Sequence, residues 1–447
     1  MAGDPMEIDG FKQQQGQALC NPELLSLYYR RIFPFAEMYK WLSYGNDGKH
    51  PSCDSSFFGR REFSFTLEND IYLRYMSFRD ASEFEATVCE KRPQKIDIGA
   101  VYSVDPAKRL AYASVSNDRV FAPVEKELVF DVDMTDYDDI RNCCSGADIC
   151  LKCWPLMTIA IKVVDSTLRE DFGFDHILWV YSGRRGVHCW VCDARARKLT
   201  NEQRASIADY FRVYKGNENN NRKVSLPTHL HPFLARTYSQ FLSRYFDEEI
   251  LIKQSLLHPQ ENADKVLKLV SGQGMSMQYM SSAYSELPVQ LEEKKRNNRL
   301  LPDEINRQRW ADLQRKLMQK RGIQVELVFT YTYPRLDLEV TKKMNHLLKA
   351  PFCIHPKTGR VCVPIDPEDC DNFDPTTVPT LPELFNDLNN GDARPVSKDW
   401  ERTSLAKSIR FFKSSFLEPL LKECRCQLEA SHHKKLQEMS ARPNFTW

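Results

Sequence analysis

The sequence predicts a mixed α/β (α+β) fold, with strands in the first and last parts of the chain and a helical segment between them. Three observations carry that prediction. Apolar residues recur with a period of two in several short runs before residue 198, as in ELVFDVD, Glu127–Asp133. From Lys198 to about Gln324 the chain becomes charged and helix-favouring, as in LEEKKRNNRLLPDEINRQRWADLQRKLMQKR. Strand character then returns in VELVFTYTYPRLDLEV, Val325–Val340, so that a late residue can rejoin the first sheet.

Residues 1–20, with their QQQGQ, have little to bury and read as a disordered tail. Asn21-Pro22-Glu23 starts a helix with a capping side chain, a proline at the first helical position and an early acid. That helix carries LLSLYYRRIF until Pro34 stops it, and FAEMYKWL makes a second. Ser43–Arg60 is polar and reads as a loop. In Arg61–Phe78, Phe63, Phe65 and Leu67 alternate with Glu62, Ser64 and Thr66 before Asn69-Asp70 turns the chain, as in a hairpin. KIDIGAVYSV, from Lys95, adds a strand, and WPLMTIAIKVVDSTL, from Trp154, has helical spacing. HILWVY and VHCWVCD are strands joined by SGRRG, and SLAKSIRFFKSSFLEPLLKECRCQLEA is helical with a polar tail after it. The organisation expected is a tail to residue 20, a core over 21–198, a helical insertion over 199–324, a second core part over 325–410, and a C-terminal helix and tail over 411–447.

A chain of 447 residues suffices for one large domain with an insertion, and 42% hydrophobic residues supply its core. No apolar run approaches the roughly 20 residues of a membrane span, and no signal-peptide pattern opens the chain. A cytosolic or nuclear compartment is therefore expected. There, fourteen cysteines read as reduced thiols or metal ligands and not as a disulfide framework. With 62 basic and 61 acidic side chains the net charge is only +1, so any nucleic acid is held locally or with a partner's help.

On the polar face of ELVFDVD, Asp131 and Asp133 point the same way and repel each other. A divalent cation such as Mg²⁺ explains such a pair, and so does an acidic strand edge in water. In YPRLDLEV, Asp337 repeats the arrangement, an acid opposite the apolar face of Leu336, Leu338 and Val340. Three strand-borne acids suit a two-metal site for phosphoryl transfer. Between two strands, Ser182-Gly183-Arg184-Arg185-Gly186 combines glycines that admit a ligand with arginine donors for phosphate oxygens, and His188 follows. It is not a P-loop, and a solvated basic turn is the alternative. His346 and Lys349, three apart and on one face of a helical turn, lie close in sequence to His355, Lys357 and Arg360. Cys143, Cys144, Cys150 and Cys153 form a CC-x5-C-x2-C cluster that suits one tetrahedral Zn²⁺, structural because four thiolates leave no open position; two buried free thiols beside a bare CxxC are the alternative.

Together, REFSFTL, KIDIGAVY, ELVFDVDMTDYDD with its cysteines, WVYSGRRGVHCWVCD and PRLDLEV…NHLLKAPF…HPKTGR resemble the small catalytic subunits of the archaeo-eukaryotic primase family, in order, over about residues 22 to 370. The resemblance implies a catalytic core in two lobes with an inserted helical subdomain and a zinc knuckle over 143–153. It implies synthesis of short RNA primers on single-stranded DNA from ribonucleoside triphosphates, with two catalytic Mg²⁺ or Mn²⁺ ions at Asp131, Asp133 and Asp337. The stretch Ser182, Gly183, Arg184, Arg185, Gly186, Val187 and His188 matches the nucleotide-phosphate loop, and His346, Lys349 and His355 match further nucleotide contacts. Asp97 matches the residue that meets the ribose 2′-hydroxyl, and Glu62 a position tied to the catalytic site and to initiation. Also implied are a large subunit carrying an iron–sulfur domain, association with DNA polymerase alpha, and a nuclear location. Two rival readings are a repair polymerase preferring deoxynucleotides, which Asp97 opposes, and a zinc-stabilised scaffold, which has no use for three clustered acids.

Overall fold

The computed structural model describes residues 21–112, 121–215, 223–224, 226–227, 229–271, 301–317, 321–390 and 398–440. The expected N-terminal tail and the LEEKKRNNRL part of the insertion lie outside them.

Helix α1, Pro22–Arg31, begins as the sequence predicts: the Asn21 Oδ1 accepts the Glu23 N–H at 2.8 Å, with proline in the first turn. Helix α2, Phe35–Ser43, follows Pro34 and sets Trp41 edge-on against Trp190, 5.4 Å between ring centroids. The expected hairpin forms from β1, Arg61–Thr66, and β2, Tyr72–Met76. Asn69 and Asp70 turn it with φ of 58° and 57°, a left-handed conformation these short polar side chains tolerate. Helix α3, Ala81–Lys91, covers the hairpin's apolar face, where Phe63, Phe78 and Phe84 meet at centroid distances of 5.1–5.3 Å. The opposite face of β1, with Glu62 and Ser64, is also buried, and looks toward the site.

Two antiparallel sheets organise the core. In the first, β3, Lys95–Tyr102, lies between β1 and the short β10, Leu348–Lys349, and also pairs with β4, Pro123–Glu125. The second has the order β11 (Pro364–Ile365), β6 (Ile177–Tyr181), β7 (Gly186–Val191), β5 (Leu128–Asp133). Helix α4, Pro155–Glu170, packs on that sheet, its Asp165 accepting the Trp179 indole N–H at 3.0 Å. Late chain therefore rejoins both sheets, through residues 348–349 and 364–365.

The strand expected over Val325–Val340 is not formed. Helix α8, Arg321–Thr332, occupies its first part, after α5 (Asn201–Tyr210), α6 (Gln260–Ser271) and α7 (Pro302–Leu317) of the insertion, and α9, Leu338–Lys342, its last. Leu327, Val328, Phe329 and Tyr331 are buried on adjoining sides of α8, so tertiary burial on a helix overrides β-branched and aromatic propensity. Among described residues of the insertion, one small hairpin, β8 (Tyr214–Lys215) with β9 (Lys223–Val224), departs from the helical expectation.

The sheets are joined through buried charge. Glu127, in the link from β4 to β5, accepts two hydrogen bonds from Arg61 of β1 at 2.9 and 3.0 Å and one from the Tyr44 hydroxyl at 2.6 Å. Beside it, the buried Lys126 donates to the Ile98 carbonyl at 3.2 Å and lies over the Trp190 ring. Burial, opposed by the neighbouring Glu127, lowers its amine to a pKa of about 8. Glu127→Gln leaves Arg61 buried without its counter-charge and should lower the unfolding free energy by about 3–5 kcal/mol, read from the urea midpoint. A loss below about 1 kcal/mol, the scale of an exposed pair, would show that the link is dispensable.

Candidate nucleotide and metal site

The antiparallel register of β5 and β7 sets Asp131 opposite His188 and Asp133 opposite Gly186. Both carboxylates thus lie beside the strand that leaves the arginine loop. They are not equivalent. Asp133 accepts from the Thr135 N–H at 2.8 Å and hydroxyl at 2.6 Å, and the Arg185 Nε lies 2.8 and 2.9 Å from its two oxygens. Burial raises its pKa, but those bonds outweigh burial and hold the carboxyl below the usual range. Among the described residues Asp131 has no charged base within ion-pair distance: the neutral His188 Nε2 lies 3.7 Å away, and Lys349 acts on it from farther off. Burial, then Asp133 and Asp337, push its pKa up to about 7.

The loop 182–186 is built by backbone constraint. Gly183 has a φ of 85°, and a Cβ there would meet the His355 Cβ at 2.7 Å. A Cβ on Gly186 would come within 2.4 Å of the Val132 carbonyl, so that close approach to β5 requires glycine. The Lys349 ammonium donates to the Ser182 carbonyl at 2.8 Å and the Thr358 hydroxyl to the Gly183 carbonyl at 2.6 Å, tying the loop to β10 and to the turn after it. Arg184, Arg185, Lys349 and Lys357 all act on His355, and Lys349 and Lys95 on His188. Burial first, and then these cations, lower both imidazoles to a pKa of about 3. The result is a crowd of like charges around neutral rings, which a polyanion would relieve.

Asp337 caps the short helix α9 and does not sit on a strand; its carboxylate accepts the Glu339 N–H at 3.1 Å. Its own N–H donates to the Asp131 carbonyl at 3.0 Å, on the edge of β5 away from β7. This bond brings the third acid to the first two across some two hundred residues. The segment before it is held by Arg335, whose N–H donates to the Tyr137 hydroxyl at 2.8 Å and whose guanidinium bonds the Asp136 carbonyl and Asp139. His346 and Lys349 also depart from expectation. No helix carries them: His346 lies in a turn and Lys349 in β10, opposite Asp97. Burial lowers the His346 pKa against the pull of Asp337 and Asp97.

Asp97 is buried on β3, accepting from the Ser64 hydroxyl at 3.2 Å through Oδ2. The Lys95 ammonium lies 3.0 Å from Oδ1, at an angle that leaves that oxygen without a hydrogen bond. Glu62 is held by Arg74 at 2.8 Å and by the Tyr102 hydroxyl at 3.0 Å, and Arg74 also reaches the Asn345 carbonyl at 3.1 Å. Glu62 thus touches the site through Arg74. The Val187 side chain turns into the core, so that residue offers only backbone to a ligand. Lys95, Arg74 and Thr135 escaped the sequence reading. Lys95 was open to it, being two residues before Asp97 on the same strand face; Arg74 and Thr135 act through contacts that no spacing reveals.

Among the described residues, Cys143, Cys144, Cys150 and Cys153 are the one group of metal-ligating side chains whose donor atoms all lie within 4.8 Å of one another. Tetrahedral Zn–S bonds of about 2.3 Å put sulfurs about 3.8 Å apart, so the cluster fits zinc with small adjustment. A hydrogen bond from Cys143 leads the effects that lower the Cys153 thiol to a pKa of about 5, and Arg141 adds to it. The three aspartates do not gather so tightly.

Two strand-borne acids with a third bonded beside them, faced by gathered cations, form an arrangement that suits phosphoryl transfer. The family model of the DNA primase small subunit matches residues 130–367. The DNA primase small subunit of Drosophila melanogaster is 40% identical over 431 residues, 90% of this chain and 93% of the relative. That of Schizosaccharomyces pombe is 39% identical, over 86% of this chain and 80% of its own. An archaeal small subunit, from Haloarcula marismortui, is 25% identical over 71% of this chain and 76% of its own. The chain belongs to the DNA primase small-subunit family, enzymes that act as DNA-directed RNA polymerases and make primers for replication.

The unequal aspartates predict opposite stability effects in the metal-free protein. The raised pKa of Asp131 means that its stabilising contribution is full below its unfolded value, near 4, and is lost as pH rises through about 7. Asp131→Asn should therefore raise the melting temperature in EDTA at pH 8, with the gain shrinking toward pH 4. Asp133 is held low by its bonds, contributes above its unfolded value and loses that contribution as pH falls. Asp133→Asn should lower the melting temperature at pH 8. Equal shifts of the same sign would overturn this division.

Proposed function

We propose that this chain copies single-stranded DNA into a short RNA primer by nucleotidyl transfer, with two Mg²⁺ or Mn²⁺ ions held by Asp131, Asp133 and Asp337. One observation carries the reading: Asp131, Asp133 and the phosphate cradle share a single strand pair, β5 with β7, and Asp337 is bonded to the backbone of Asp131. The donor set suits hard cations, and a carboxyl as high as that of Asp131, raised by burial and its acidic neighbours, is one that positive charge would return to the ionised form. Bound there, the ions would lower the pKa of the attacking 3′-hydroxyl and stabilise the leaving pyrophosphate.

The chain's own groups do the rest. Arg185 commits its Nε to Asp133, leaving its terminal nitrogens for phosphate oxygens. Arg184 and Lys349 add charge, while the neutral His188 and His355 supply N–H donors rather than cations. The glycine-constrained loop holds these donors in place before substrate arrives, so little reorganisation accompanies reaction. As the O3′–P bond forms, the bond from the α-phosphorus to pyrophosphate breaks and the hydroxyl proton passes to solvent. The unbonded Oδ1 of Asp97 is the group suited to a ribose 2′-hydroxyl.

One Zn²⁺ in the four-cysteine cluster would hold residues 141–153 against the segment that positions Asp337. The same reading carries a large subunit with an iron–sulfur domain, association with DNA polymerase alpha and a nuclear location.

Purified protein with single-stranded template, Mg²⁺ or Mn²⁺ and labelled ribonucleotides should give short RNA products on a gel. Asp131→Asn, Asp133→Asn and Asp337→Asn should each lower synthesis by several orders of magnitude, since charge stabilisation by metal is worth several kcal/mol. Near-normal synthesis by any of the three would sink the mechanism. Asp97→Ala should lower kcat/KM for ribonucleotides by about 10- to 150-fold, the worth of a hydrogen bond to a charged acceptor, and less for deoxynucleotides. Equal losses for both sugars would give Asp97 another role. Replacing Cys150 and Cys153 by Ala should remove zinc, measured by elemental analysis, and lower the melting temperature; native protein without stoichiometric zinc would refute the assignment.

A further inference from the structure

A second recess adjoins the acids, on the side away from the phosphate cradle. β5 is the edge strand of its sheet: β7 and the arginine loop lie along one edge, and the Asp337 N–H bonds the other. Beyond that second edge opens a cleft of about 670 Å³, lined by Asp136, residues 211–214 and residues 334–339 with Lys342. Its volume is within the roughly 300–1,000 Å³ of small-molecule sites. Asp337 belongs to both places, completing the acids on one side and lining the cleft on the other.

The cleft has the chemistry of a nucleotide site. The half-buried Tyr214 gives it aromatic surface, with Phe211 buried behind it, and Arg212 and Lys342 give it cations. Lys342 donates to Glu339 at 2.8 Å, and Arg212 also acts on that carboxylate, so the two cations face one region. Among the described residues, Arg212 otherwise makes a half-exposed pair with Asp209 at 2.7 Å, and such pairs are worth little and are readily exchanged for a phosphate.

In-line displacement requires the attacking oxygen and the departing pyrophosphate on opposite sides of the α-phosphorus. With the cradle on one edge of β5, the attacking oxygen has to come from the other. We infer that the cleft beside Asp337 holds the nucleotide that carries the attacking 3′-hydroxyl: the last nucleotide of the growing primer, or at initiation a free ribonucleotide. Arg212 and Lys342 contact its phosphate. This rests on the primer-synthesis reading above and adds to it the place of the second substrate.

Arg212→Ala and Lys342→Ala, each in the full chain, test the assignment in extension of a primed template, with the primer and the incoming ribonucleotide varied separately. Loss of one charge-assisted contact should raise the KM for the primer about ten-fold in each variant. The KM for the incoming ribonucleotide should stay within about two-fold, as expected when only the other substrate's binding is lost. The melting temperature should hold, since Arg212 is exposed and the half-buried Lys342 is paired only with the exposed Glu339 among the described residues. A primer ending in 4-thiouridine should crosslink to residues 211–214 or 334–342. An unchanged primer KM in both variants overturns the assignment, as do crosslinks confined to 182–188 and 346–355. An equal rise in the KM for the incoming ribonucleotide also overturns it, because the cleft would then serve that substrate. Wild-type protein that extends no primer would instead remove the underlying function, and the control lane distinguishes that failure from the others.

Discussion

The buried Glu127 is the constraint on which the site depends. Asp131 and Asp133 stand on the second sheet, with Asp337 bonded to its edge, while Asp97, Glu62 and Lys349 stand on the first. Neither sheet holds a complete site. Glu127 follows β4 of one and immediately precedes β5 of the other, and Arg61 and Tyr44 hold it from the first sheet's side. Arg204, donating to the Glu127 carbonyl at 3.0 Å, holds its backbone as well. A charge taken this far from water is tolerated only where its partners are fixed, and Arg61 of the first sheet is the charged one here.

The charges at the site are then sorted by edge. Along β5, the inner edge meets arginines and lysines and the outer edge meets Asp337. Asp133 is compensated within the protein by Arg185 and Thr135, and Asp131 is not. The cradle shows the converse, with cations crowded around imidazoles that stay neutral because of burial and those same cations. Each half carries an excess of one sign, and a metal–triphosphate complex has both signs to offer. The near-neutral chain thus keeps its charge asymmetry local.

The cysteine cluster takes its place in the same scheme. It follows β5 after one turn, and Tyr137, Asp136 and Asp139 in that turn hold Arg335, two residues before Asp337. Arg141 links the turn to Cys153 through its guanidinium, 3.8 Å from the sulfur, and to Asp138. The cluster and the segment before the third acid are thus both tied by side chains to the one turn, residues 136–139.

Sequence alone determined the parts whose signal is local. Strand alternation in ELVFDVD, the proline-initiated helix at Asn21, the hairpin at Asn69-Asp70, the spacing of the four cysteines and the glycine–arginine loop could all be read because neighbours in the chain carry the pattern. The same local view read Val325–Val340 as a strand. Alternation in RLDLEV is equally met by a capped helical turn, and the aromatic run before it is helical because other helices bury it. Likewise the three-residue spacing of His346 and Lys349 suggested a helix, where the structure has a turn and a strand that pairs with β3. Only the tertiary structure decided which acid Arg185 would neutralise, and which edge of β5 Asp337 would take. Those outcomes rest on hydrogen bonds between residues tens to hundreds of positions apart, and such bonds leave no period in the chain.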